Sequence, residues 1–220
     1  MPRQNRVTPF GDIIAAPERG TFLRNRGVLH DAEGRIRRAW QVRRWLVCVL
    51  EFRGRKRQVM TPRRYTELFF LDEATALAAG HRPCAECRRQ RYNAYRSAWQ
   101  FCYTPAAGAT PPTADEMDRQ LHGERIARDR SKVTYRARLD DLPDGVLVRL
   151  PRDAKGAYLL WNDGLFRWSA AGYAERIDRP QSAEVEVLTP KSTVEVIRAG
   201  YVPEIHPSAV ALERPGASRE

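Results

Sequence analysis

Apolar and polar positions change their period several times along the chain. From Trp45 to Phe52 the run Trp-Leu-Val-Cys-Val-Leu-Glu-Phe is nearly unbroken in β-favouring residues and predicts a strand buried on both faces over most of its length. Asp72 to Ala79 predicts a short capped helix stopped at Gly80. A second helix is expected from Arg88 to about Phe101. Tyr92, Tyr95 and Trp99 share one face of it, while Arg88, Arg89, Arg91 and Arg96 cover much of the remainder. An aromatic stripe at that spacing reads as core rather than as a base-stacking platform. Ala114–Ala127 predicts a third helix, weakened at Gly123.

Short apolar runs follow at Val133–Leu139, Val146–Leu150, Ala157–Trp161, Leu165–Trp168 and Val185–Leu188. They are separated by turn sequences such as Pro143-Asp-Gly145 and Asn162-Asp-Gly164. The spacing predicts a small antiparallel sheet or partly closed barrel. Ser192 is placed to cap a last helix with Val194, Ile197 and Tyr201 on one face and Gly200 at its end. The first forty residues show weak periodicity and predict an extended arm with a turn near Asp31–Gly34. Arg53–Arg57 reads as a tight basic turn, and Gln58–Thr61 as a short returning strand ended by Pro62.

The proline- and alanine-rich stretch 104–113 is the expected linker. It divides the chain into a basic domain at 1–103 and a helix-plus-β domain at 114–220, an α+β organisation overall. No apolar run is long enough to span a membrane, and no export signal is visible. Four irregularly spaced cysteines without such a signal argue for a reducing cytoplasm rather than a disulfide framework.

Charge is concentrated rather than spread. Residues 1–100 hold 21 basic and 9 acidic residues, whereas residues 101–220 hold 17 and 18, so the whole net charge of +11 resides in the first part. Only Lys56, Lys132, Lys155 and Lys191 are lysines. Arginine suits bidentate phosphate and guanine contacts, which points to a nucleic-acid partner, although a GC-rich genome would raise the arginine share without concentrating it.

Cys84-x-x-Cys87 brings two thiolates to one side of a turn, enough for half of a tetrahedral zinc site. Two buried structural cysteines or a redox pair are the other readings of the spacing, and the latter lacks a thioredoxin-like βαβ setting. The stretch Leu68-Phe-Phe-Leu-Asp-Glu-Ala-Thr-Ala-Leu-Ala-Ala-Gly-His-Arg-Pro-Cys-Ala-Glu-Cys87 resembles the second half of the metal-binding domain of Ada-type DNA alkylation-repair proteins. The resemblance covers about residues 45–90 and is sharp over 68–88. It implies a small zinc-bearing module that touches the DNA backbone, with Cys84 and Cys87 as ligands. The family's first cysteine pair has no counterpart; Arg53 and Arg57 stand at those positions, so methyl transfer is not expected.

Two ligands must then come from elsewhere. His81, three residues before Cys84, ranks first, followed by His30, Cys48 and Cys102, with Cys48 reading chiefly as a buried thiol in its strand. The expected function is DNA binding linked to repair or modified-DNA handling, with Zn2+ on Cys84, Cys87 and His81. Arg53, Arg55, Lys56, Arg57, Arg88, Arg89 and Arg91 are the expected phosphate contacts. Catalytic alternatives are a metal-dependent nuclease using His30 oriented by Asp31, or an abasic-site lyase using the amine of Pro2 after loss of Met1. A zinc-stabilised protein-interaction module is the alternative without nucleic acid.

Overall fold

The computed structural model describes residues 1–54, 58–104, 108 and 110–213. The first sheet is built from β1 (Gln4–Val7), β2 (Ile13–Ala15), β3 (Phe22–Arg24), β4 (Leu46–Val49) and β5 (Leu68–Phe70). After α1 (Glu73–Ala78) the short strand β6 (Arg82–Pro83) completes it in the order β2-β1-β5-β3-β4-β6. β1 with β5 and β4 with β6 are parallel; the other pairs are antiparallel. Two helices follow, α2 (Arg89–Tyr103) and α3 (Ala114–Arg125). Then come β7 (Tyr135–Arg138), β8 (Leu147–Arg149), β9 (Tyr158–Trp161), β10 (Gly164–Ser169), β11 (Gly172–Asp178) and β12 (Glu184–Val187). These six strands form a wholly antiparallel sheet, β11-β10-β9-β8-β12-β7, and α4 (Lys191–Arg198) and α5 (Pro207–Glu213) end the described chain.

Local signals explain many of these elements. Asp72 caps α1 by accepting from Thr75 N, and Gly80 follows in the left-handed region. Thr113 and Glu116 form a capping box at the start of α3. Asn162 and Asp163 both take positive φ, the geometry of a two-residue hairpin joining β9 to β10. The expected arm is instead pleated into β1, β2 and β3. Gln58–Thr61 forms no strand: Met60 takes φ 57° in a turn. Among the described residues no helix is long and apolar enough to cross a membrane.

α1 lies between the sheets, and all six of its residues are buried. Ala74 and Ala78 pack with Leu147, Leu159 and Phe166 of the second sheet, whereas Ala76 packs with Val7, Phe22, Val47 and Phe70 of the first. Its small side chains let both sheets approach. On α2, Tyr92, Tyr95 and Trp99 join Met117 and Leu121 of α3 and Val148, Leu160 and Val185 of the second sheet. The aromatic stripe is core. These clusters run across the expected boundary at 104–113, so the segments on either side of it share their interior.

Candidate metal centre and its basic surroundings

β4 alternates its side chains. Val47 enters the cluster with Leu68 and Phe70, while Leu46 and Cys48 face the other way with Leu23 and Cys84. Parallel pairing of Val47 with Pro83, continued by Cys84 N donating to Val47 O at 3.0 Å, draws the knuckle alongside Cys48. The sulfurs of Cys48, Cys84 and Cys87 consequently lie within 4.8 Å of one another, an arrangement able to hold a metal ion. Glu86 N donates to Cys84 Sγ at 3.4 Å, and Arg24 Nη1 donates to Cys48 Sγ at 3.1 Å. Hydrogen bonds from Cys48 and Cys87, with the backbone N–H groups of Cys87 and Glu86, hold the Cys84 thiol well below the usual range. The same contact with Cys84 pushes Cys48 up. The donor set therefore fits a thiophilic ion. A cavity of about 60 Å³ lies against the three cysteines and is also lined by Arg24, Val49, Phe52 and Glu86.

His81 is not part of this cluster, which corrects its expected role as a ligand. Its ring is fully buried between Trp45 and Phe70, at centroid distances of 5.1 and 4.7 Å. Nδ1 faces Ala76 O at 3.2 Å, and Arg26 Nε donates to Nε2 at 3.4 Å. Burial, then Arg26 and Arg125, keep the imidazole neutral by lowering its pKa well below the ordinary value. Cys102 donates instead to Glu195 O on α4. His30 is 6% exposed and bonded through Nδ1 to Thr66 Oγ1 at 2.6 Å. Its neighbour Asp31 does not orient it: that carboxylate binds Arg35 at 3.0 Å and Arg37 at 2.7 Å. Pro2 lines a cleft with Arg3, Arg6 and Glu18.

The seven expected phosphate contacts separate. Arg55, Lys56 and Arg57 lie outside the described residues. Arg53 is exposed at a left-handed turn beside the Phe52 ring, and Arg89 is exposed at the start of α2. Arg88 is turned inward, 5% exposed, with Nη1 on Glu73 at 2.6 Å, Nη2 on Glu204 at 2.5 Å and its guanidinium over Phe22. Arg91 reaches the other Glu73 oxygen at 2.6 Å and stacks on Tyr201. Glu73, fully buried, also accepts from Tyr201 OH and Glu204 N. The two arginines neutralise that carboxylate, so Arg88 in particular is committed within the fold. Conversely, Arg38, Arg43, Arg44, Arg63, Arg64 and Arg89 are exposed without an ion pair among the described residues.

A second group of cations is buried behind the knuckle. Arg82, two residues before Cys84, makes a two-pronged pair with Asp118 of α3 at 2.9 and 2.7 Å. Trp45 is flanked by the guanidiniums of Arg26 and Arg125, each 4.0 Å from its ring centroid. Arg125 Nη1 donates to Gly80 O at 2.6 Å, and Lys132 Nζ to Ala78 O at 2.7 Å. Cations thereby satisfy carbonyls at the C-terminal end of α1, where the helix dipole favours them. Composition alone gives no sign that arginines are used this way. Cys48 could have been promoted by its strand alternation, which sets it opposite Val47.

No protein-family model, curated protein or solved structure matches this chain.

Proposed function

We propose that the protein binds DNA through a basic module whose knuckle is held by a zinc ion on Cys48, Cys84 and Cys87, and that it serves DNA repair or the handling of modified DNA. What carries the reading is the coincidence of a three-sulfur cluster with arginines that are exposed and make no ion pair among the described residues, Arg89 lying two residues after Cys87. Three thiolates with N–H donors on sulfur suit zinc. Arg53, Arg55, Lys56, Arg57 and Arg89 are the phosphate contacts, with Arg38, Arg43, Arg44, Arg63 and Arg64 extending the positive surface. Arg88 and Arg91 support them from inside by fixing the start of α2. The link to repair rests on the resemblance of residues 68–88 to Ada-type modules.

Metal analysis of purified protein, joined to binding of duplex DNA and RNA across a salt series, tests both halves. One zinc per chain and a DNA affinity falling steeply with salt are expected. Absence of bound metal refutes the centre. Absence of DNA binding, or an affinity indifferent to salt, refutes the partner.

A further inference from the structure

Among the described residues, which include all four cysteines and all four histidines, only Cys48, Cys84 and Cys87 place ligand atoms in the sulfur cluster. The other candidates are committed elsewhere. Cys102 faces Glu195 O, His81 lies between Trp45 and Phe70, and His30 is bonded to Thr66. His122 stands against the Trp40 ring at 4.6 Å, and His206 Nδ1 against Ser208 Oγ at 2.8 Å. Each clustered sulfur is met by an N–H donor: Arg24 Nη1 at Cys48, Glu86 N at Cys84 and the backbone N–H of Val49 at Cys87. Such donors orient thiolate ligands without adding to their number. Zinc takes four ligands in protein sites, and three from the chain with one from solution is the open pattern.

The cavity of about 60 Å³ touches all three cysteines, and Cys87 is only partly buried, so the sulfurs can be reached from outside. Its volume is several times what a single water needs. Val49, Leu50 and Phe52 give it an apolar wall, and Arg24 and Glu86 also line it.

We propose that a metal ion on these cysteines keeps its fourth position for a small thiol, which enters from solution through this cavity. The inference rests on the three-cysteine centre proposed above. An ion selected by three thiolates favours a fourth soft donor, and the apolar wall suits the thiol's methylene stem better than a hydrated carboxylate. Three thiolates on a divalent ion leave one negative charge and a fourth adds another; Arg24, already against Cys48 Sγ, offsets it. On binding, the thiol releases its proton to the buffer, its sulfur bonds the metal and the solvent ligand leaves; nothing is oxidised or reduced.

Cobalt(II) is the probe, because its visible absorption reports sulfur ligation. The full chain, kept reduced by a phosphine rather than by a thiol, is loaded with cobalt, and its ligands are counted by X-ray absorption. Three sulfurs and one lighter donor are expected. Titration with β-mercaptoethanol should shift the visible bands saturably and raise the count to four sulfurs, whereas acetate should leave them unchanged. Glu86→Ala should keep the starting spectrum. Four sulfurs before thiol is added, bands indifferent to β-mercaptoethanol, an equal shift with acetate, or a band shift in Glu86→Ala that makes its carboxylate the fourth ligand overturns the proposal. Cobalt uptake with sulfur charge-transfer bands reads the centre by itself. Uptake without a response to thiol therefore sinks the open position alone, whereas failure of uptake sinks the centre with it.

Discussion

Replacing Arg88 by methionine separates an arginine that builds the fold from one offered to a ligand. Methionine keeps an unbranched stem against Phe22 but removes the charge from Glu73, whose carboxylate is fully buried. Breaking a buried ion pair from one side costs roughly 3–5 kcal/mol because the remaining charge is left desolvated. Here Arg91, Tyr201 and the Glu204 amide still reach Glu73, so the lower end, about 3 kcal/mol, applies. Glu204 adds little, since its side chain is 51% exposed. For a chain of this size the melting temperature should fall by about 6–12 °C. Arg88→Met/Glu73→Gln should recover part of that loss, because no bare carboxylate remains. The control is the next residue. Arg89→Ala should change stability by no more than about 0.5 kcal/mol, yet lower DNA affinity and reduce the salt slope by about one. Urea denaturation and a salt-titrated binding assay read the two quantities separately. If Arg88→Met costs under about 1 kcal/mol and weakens DNA binding as Arg89→Ala does, the inward assignment is wrong.

Metal content should fall in Cys48→Ser as it does in Cys84→Ser and be kept in His81→Phe, whose ring fills the space between Trp45 and Phe70; loss of metal only in the His81 variant would reverse the ligand set. Lys132 supplies a pH test. Its stem is partly exposed but its ammonium is enclosed, and burial, then the nearby Arg26, lowers its pKa from 10.5 to about 7 despite the opposing Asp12. Between those values the unfolded chain holds a proton that the folded chain has released, so stability should rise with pH above 7. Arg26 and Arg125, each pushed down to about 9 by burial, reinforce this at higher pH, which leaves pH 7–9 as the window for Lys132. Denaturation midpoints across that window should slope less in Lys132→Met; an identical slope would dismiss the effect. Gly20→Ala should cost roughly 1–3 kcal/mol by overpacking against Phe70 O and Arg6, read as a lowered urea midpoint. An unchanged midpoint would show that the loop can lift away.

What the sequence disclosed was what neighbouring residues decide. Asp72 and Gly80 bound α1, Thr113 and Glu116 start α3, and Asn162–Asp163 turns β9 into β10, because each signal acts within a few residues. Tyr92, Tyr95 and Trp99 announced their face by helical period. Partners far apart in the chain were not legible. Cys48 meets Cys84 only through the pairing of β4 with β6, and His81 is drawn from the sulfurs by Trp45, Phe70 and Arg26. β1, β2 and β3 escaped notice because β1 and β2 expose much of their surface and their pattern is thin. Arg88 and Arg89 are identical letters with opposite fates. Burial beside Glu73 divides them, and that depends on a residue fifteen positions away.

The bracing of α1 also limits modularity. Its C-terminal carbonyls are answered by Arg125 and Lys132, its Asp72 cap by Tyr173 OH and His206 N, and Arg82 before the knuckle by Asp118. All of these partners lie beyond residue 113. The segment that most resembles a free-standing module is therefore a keystone, seated by chain that follows it. Cut at the linker, it would keep Asp72 and Gly80 but lose the partners that brace both ends of its helix, so exchange with another protein would have to carry the whole arch.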